Sequence, residues 1–230
     1  MNIEMDTKLL QAMPGIKLGI NYYTKITVSE SPQMLKGRLQ LFQEQLFFEL
    51  EDKSVTDFPG IQEWRTVWKA LGADPNRYRH STEALMRRVK KQNYMTPFHS
   101  AVDLNTFFSL QHVIPAGIYD FEKIVGDINV STGTDTDGYD GLNGRFNSLH
   151  NILLLKDGFS PFGSPFVDSV RTAVTEETTE ALHIFFIRPS MDATEALALT
   201  TACGNMFTSI SGGEVCSYVL HEGQTSIIVN

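Results

Sequence analysis

Apolar and polar residues alternate along residues 16–28, where Ile16, Leu18, Ile20 and Tyr22 are interleaved with Lys17, Gly19 and Asn21. A period of two predicts a strand. The period then lengthens. Ser31 and Pro32 predict a helix start, with Ser as N-cap and Pro at the first helical position. Leu35, Leu39, Phe42, Leu46 and Phe47 recur every three or four residues to about Leu50, as one apolar helix face requires. Beyond a polar loop holding Pro59 and Gly60, Ile61, Trp64, Trp68 and Leu71 mark a second helix that Gly72 ends. Ser81 is predicted to cap a third helix reaching Lys91, with Leu85 and Val89 inward and Arg87, Arg88 and Lys91 toward solvent.

The remainder is more mixed. Residues 101–110 read as a short helix, 124–130 as a strand, and 131–147, rich in Gly, Asp, Thr and Asn, as one long loop. Residues 151–155 and 181–187 read as buried strands. Asp192 and Glu195 form a capping box ahead of a helix to about Phe207. Gly212 and Gly213 end it, and residues 215–220 and 225–229 are predicted to pair as a hairpin across 221–224. Helices and strands alternate without a regular βαβ rhythm, so the class is α+β, in a single domain over 1–230.

Composition narrows the possibilities. In 230 residues, 42% are hydrophobic and only 2 are Cys, which excludes a disordered chain, a disulfide framework and a four-thiolate zinc site. The apolar runs fall far below the roughly 20 residues of a membrane span, and the opening MNIEMDTKLL lacks a basic patch and apolar core. A cytoplasmic protein without membrane association is expected. The net charge of −8 argues against nucleic acid until it is divided. Residues 1–91 carry 14 basic and 11 acidic side chains, and residues 92–230 carry 5 and 16. Arg77, Arg79, Arg87, Arg88, Lys90 and Lys91 crowd one stretch whose single acid is Glu83.

Most motif chemistry fails on spacing. Cys203 and Cys216 read as two buried thiols, and the six histidines show no metal-ligand spacing. Counted from Asp135, a calcium loop would place Tyr139 at position five and Phe146 at position twelve, so a solvated turn is expected there. No nucleophile elbow, phosphate-cradling loop or dinucleotide fingerprint occurs. Three segments remain: 63–91 with its two Trp and basic cluster, 101–124 with Asp103, Asn105, Thr106 and Ser109, and 163–186 with Ser164, Asp168, Ser169, Arg171 and Thr172. Such polar runs line a pocket or merely form loops and caps, and spacing does not choose.

In order, these segments read Trp64-Arg65, Leu71-Gly72-Ala73-Asp74-Pro75, Arg77-Tyr78-Arg79 and Ser81-x-Glu83-Ala84-Leu85-x-Arg87-Arg88. Val102-Asp103-Leu104-Asn105, Pro115 through Tyr119-Asp120, and Asp168-Ser169-x-Arg171-Thr172 follow. The set resembles the B3/B4 tRNA-binding and editing domain of the bacterial phenylalanyl-tRNA synthetase beta subunit in free-standing form, most closely over residues 60–190. That resemblance implies a three-layer α+β domain with a central β-structure flanked by helices, a pocket for the aminoacylated 3′ end of tRNA, and ester hydrolysis without a cofactor or metal. It implies a hydrolase acting in trans in translation fidelity, with tRNA and possible contact with an aminoacyl-tRNA synthetase. The alternative is a non-catalytic module binding RNA or an amino-acid-like ligand. Against the family pattern, the Thr-Asn pair becomes Asn105-Thr106, the His position falls on Gly117, a Gly-Gly pair becomes Asp168-Ser169, and the tyrosine-recognising Glu falls near His183 or Ile184. The resemblance therefore implies a pocket that accepts something other than tyrosyl-tRNA, or acts on nothing. Asp168 or His183 is expected to orient water, and Asn105 or Ser169 to donate to an oxyanion. Asp103, Thr106, Ser109, Ser164, Arg171 and Thr172 are expected around the substrate, with Arg171 alternatively paired to Asp103 or Asp168. Arg79, Arg87, Arg88, Lys90 and Lys91 are the expected tRNA contacts.

Overall fold

The computed structural model describes residues 1–229. Its elements run β1 (Asn2–Met5), α1 (Thr7–Ala12), β2 (Lys17–Thr24), α2 (Gln33–Glu51), α3 (Pro59–Leu71), α4 (Ser81–Lys90), α5 (Ser100–His112) and β3 (Ala116–Asp120). They continue through β4 (Ile128–Thr132), β5 (Gly138–Asp140), β6 (Phe146–Ser148), β7 (Leu153–Lys156), β8 (Pro161–Gly163), β9 (Ala181–Ile187), α6 (Ala193–Ser211), β10 (Glu214–Leu220) and β11 (Ser226–Ile228). The class is α+β, as the sequence predicts.

A four-stranded antiparallel sheet, ordered β10-β2-β9-β3, occupies the middle. Because successive side chains of a strand point to opposite faces, this sheet divides the core in two. Leu18, Ile20 and Tyr22 of β2, with Leu182, Ile184 and Phe186 of β9, pack against α3 and the five-stranded sheet β11-β1-β4-β7-β8. Tyr23 of β2, with Phe185 and Ile187 of β9, packs against α2, α5 and α6. Trp64 and Trp68, one turn apart on α3, are fully buried, and the Trp64 indole donates to the Phe186 carbonyl at 3.1 Å. Truncating either would cost about 3–5 kcal/mol.

Several expectations need correction. Helix α2 begins at Gln33 with Pro32 in the N-cap position, because the Ser31 hydroxyl instead donates to Asp103 at 2.5 Å. His80, not Ser81, caps α4, its Nδ1 accepting from the Glu83 amide. Within α4, Met86 and Val89 are buried while Leu85 is only partly so. The expected loop 131–147 contains the β5–β6 ribbon. The turn across 221–224 forms, with His221 bridged to Gln224, but the expected hairpin does not. β10 pairs with β2 and β11 with β1, in different sheets. Cys216 is exposed, while Cys203 is buried and its thiol is pushed up to about 12 by desolvation. The capping box at Asp192 and the left-handed Gly72 ending α3 (φ 88°) are as predicted. Asp137 accepts from Thr134 and pairs with Lys156 at 3.1 Å, which makes the acidic Gly-rich stretch a turn.

Candidate functional site

Segments far apart in sequence meet at β3, the edge of the central sheet. Residues beyond Asp168 run along that edge, where Tyr119 bridges to Ala173 and the Asp120 amide donates to the Thr172 carbonyl at 2.9 Å. The β5–β6 ribbon clasps the same segment through Val170 N to Asp140 O at 3.0 Å and Leu142 N to Asp168 O at 2.9 Å. Between this segment, β3 and the start of α5 lies a cavity of about 340 Å³. Phe98, Val102, Ile118, Leu142, Ala173 and Val174 make its walls apolar, and Asn105 and Asp168 are the polar lining residues.

Asp168 is partly buried at the wall, and its carboxylate loses enough water that its pKa rises to about 7. The rise persists although the Tyr119 hydroxyl donates to Oδ1 at 2.6 Å and the Ser164 amide approaches at 3.4 Å, contacts that favour the ionised form. Tyr119 is held well above the ordinary phenol range by burial and by the adjacent carboxyl, so it remains a donor. Two glycines make room for this pair. A Cβ on Gly117 would stand 2.1 Å from the Tyr119 hydroxyl and 2.8 Å from Asp168 Oδ2, and one on Gly163 would stand 2.3 Å from the same hydroxyl. The Tyr119 hydroxyl and the Asp168 carboxyl thus fill the space that a side chain at Gly117 would need.

Asn105 ends a directed chain of hydrogen bonds. Strand register lays Ser217, Asn21, His183 and Ile118 in one row across β10, β2, β9 and β3. The Asn21 amide nitrogen is identified by its bond to the Thr200 carbonyl at 2.9 Å, and its oxygen accepts from Ser217 at 2.6 Å. The same nitrogen donates to the Tyr23 oxygen at 3.2 Å, which turns the phenol proton toward His183 Nδ1 at 3.4 Å. Burial lowers the His183 pKa to about 3, so the ring is neutral and carries one proton. In the tautomer whose Nδ1 accepts from Tyr23, the proton sits on Nε2, 3.0 Å from Asn105 Oδ1. That tautomer leaves Asn105 with both amide N–H groups for the cavity. His183 itself is fully buried and reaches the cavity only through Asn105.

The other expected residues divide clearly. Asp103 accepts from Ser31 and, at 3.0 and 3.2 Å, from the Phe98 amide, joining the start of α2 to that of α5. Thr106 is buried on α5, and Ser109 bonds Ile114 O at 2.8 Å and Thr82 at 2.9 Å. Ser164 closes a turn onto Val167, and Ser169 accepts from the Arg171 amide. Thr172 is wholly buried with its hydroxyl unpartnered. Arg171 pairs with Asp157 at 3.0 Å and the Lys123 carbonyl, rather than with Asp103 or Asp168, and is not turned to the cavity. In the basic stretch, Arg87 binds buried Glu83 at 2.8 Å beside Arg65, and Lys90 caps α2 through the Leu50 and Lys53 carbonyls. Arg79, Arg88 and Lys91 are exposed.

Residues 63–202 match the model of the B3/4 domain family. The chain belongs to that family. The uncharacterized protein YhzB of Bacillus subtilis (strain 168) is 33% identical over 214 residues, which is 93% of this chain and 96% of YhzB. An N-terminal fragment of the phenylalanyl-tRNA synthetase beta-subunit from Pyrococcus horikoshii aligns with a TM-score of 0.44 at 12% identity, over 96% of this chain and 54% of that fragment. This chain thus spans about half of the fragment's length. All the cavity residues of this B3/4 domain lie within 63–202, whereas Asn21, Tyr23 and Ser217 lie outside it. Val102 and Tyr119 stand within the motif set of the sequence, whereas Phe98 and Leu142 lie outside it. Asn21 carried a signal: a polar residue inside an apolar strand must find a buried partner.

Proposed function

We propose that this B3/4 domain binds the aminoacylated 3′ end of a tRNA in the cytoplasm and hydrolyses a wrongly attached amino acid in trans. The observation that carries the reading is the placement of a donor, Asn105, and a titratable carboxyl, Asp168, on one largely apolar cavity. With its pKa near 7, Asp168 is ionised in about half the molecules at neutral pH. It takes a proton from a water that attacks the ester carbonyl, while the Asn105 N–H groups hold the oxygen on which charge develops. Collapse of the tetrahedral intermediate expels the ribose oxygen, which recovers the proton from Asp168. The ester is already activated, so positioning supplies most of the effect and no protein nucleophile is needed. Exposed Arg79, Arg88 and Lys91 provide phosphate contacts.

A second reading, a non-catalytic module for RNA or an amino-acid-like ligand, is favoured by one observation. Ser169 is buried and lies outside the cavity lining, which leaves Asn105 as the lone side-chain amide donor there. A panel of mischarged tRNAs decides between them. The hydrolytic reading expects turnover of at least one aminoacyl ester above the buffer rate, abolished in Asp168→Asn. Binding without turnover of any ester selects the module instead.

A further inference from the structure

We propose that the aminoacyl group taken by this cavity has an apolar side chain, an inference that rests on the tRNA reading above. Asn105 and Asp168 are both engaged by the carbonyl oxygen and the attacking water. Phe98, Val102, Ile118, Leu142, Ala173 and Val174 then surround the side chain and offer it no hydrogen bond. A charged or amide side chain would leave water without replacement. An apolar wall discriminates weakly against a mere added hydroxyl, by about a hundredfold at most. The probes are hydrolysis-resistant 3′-deoxy-3′-(aminoacylamino)adenosines carrying Leu, Val, Thr, Lys or Glu, titrated calorimetrically. Leu and Val should bind at least about a hundredfold tighter than Lys and Glu, with Thr within about a hundredfold of Val. Leu142→Glu, at an exposed position on the rim, should weaken the Leu compound and leave the melting temperature unchanged. Equal or tighter binding of Lys or Glu, or no binding of the Leu and Val compounds, overturns the proposal. Binding of Leu without turnover of leucyl-tRNA defeats the hydrolytic reading and leaves the ligand class standing.

A separate observation concerns α2, whose outer face exposes Met34, Leu41 and Phe48, each 66% accessible and seven residues apart. We infer that a second copy of this chain covers this stripe, with the two α2 helices antiparallel about Leu41. That register sets Met34 against the partner copy's Phe48 and brings Gly37, which has open space around it, to the contact. It also sets Arg38 opposite Glu44 twice, whereas a parallel pair would oppose Arg38 to Arg38 and Glu44 to Glu44. Opposed charges across a helix pair select orientation and partner. Sedimentation of the intact chain over a concentration series should show dimer. Leu41→Lys, exposed and at the axis, should yield monomer with unchanged circular dichroism. Arg38→Glu should weaken the dimer, and Arg38→Glu with Glu44→Arg should restore it. A monomer at all concentrations, a dimer indifferent to Leu41→Lys, or a failed charge swap overturns the inference.

Discussion

The basic stretch and the cavity are opposite cases of how a site is assembled. Residues 77–91 gather six cations in the sequence, yet the fold turns part of that charge inward. Arg87 joins Arg65 on the fully buried Glu83, and Lys90 closes the C-terminal end of α2. The cavity draws Phe98, Asn105, Ile118, Leu142, Asp168 and Val174 from separate segments and needs strand register to collect them. Charge density along a chain is therefore a poor measure of charge on a surface, and a site can be dense in space while dilute in sequence.

The sharpest way to break this contrast is Glu83→Ala. Removing this buried carboxylate leaves Arg87 half-exposed and Arg65 on Pro75 and Asn76 alone, and should cost about 1.5–3 kcal/mol in denaturant unfolding. A loss below 1 kcal/mol would mean the stretch is a surface feature after all. At the cavity, Asn105→Asp replaces a donor by an acceptor. Hydrolysis should fall about 10²–10³-fold, as for a lost oxyanion donor. If Asn105 presented its oxygen instead, with His183 holding its proton on Nδ1, Asp would be tolerated.

Acid stability probes the same contrast with opposing signs. His80 and His183 are buried, with pKa values lowered to about 3. Each contributes stability that is complete above the unfolded value of 6.5 and is lost as pH falls toward 3. His112, lowered by burial, acts in the same direction. Asp168 acts the other way. Raised from 3.8 to about 7, it binds a proton in the folded state that the unfolded chain releases. Its stabilisation is complete below 3.8 and is lost as pH rises through 7. Between about pH 4.5 and 6, Asp168 therefore offsets roughly one histidine. Asp168→Asn should steepen the acid loss of stability by up to about 1.4 kcal/mol per pH unit, measured by urea unfolding at half-unit steps. An unchanged slope would place the carboxyl in an ordinary solvated setting.

Periodicity made much of the fold legible. The strand β2, the buried run of β9, the apolar face of α3 and the caps at Gly72 and Asp192 follow from local rules, whereas the burial of the second face of β2, Asn21 included, does not. Elements whose identity depends on distant partners were not legible. β3 and β8 are short, and β5 and β6 lie in a segment whose composition favours turns. β10 and β11 separate because β2 and β1 offer each an edge. At the site, the family pattern brought Asp168, Asn105 and His183 into view, while their roles depend on register. His183 lies directly opposite Asn21 across β2 and β9, and no spacing in the chain encodes that pairing. Arg171 shows the converse: its neighbours in sequence pointed to Asp168, and its partner is Asp157 on another loop.

The smallest effects separate two neighbours. Arg87 and Arg88 are indistinguishable by charge or spacing, but one holds Glu83 and the other is exposed. Arg87→Ala should register in stability, because Glu83 loses half of its cationic partnership. Arg88→Ala with Lys91→Ala should leave stability within about 0.5 kcal/mol, as substitutions on an open surface do. Its effect should appear in tRNA binding across all tRNAs, lowering the slope of log affinity against log salt by about 0.7–0.9 per lost phosphate contact. Filter binding from low to moderate salt measures that slope. If both variants change stability alone, the stretch is framework throughout. If Arg87→Ala matches Arg88→Ala in salt response, the pairing with Glu83 gives way when RNA arrives.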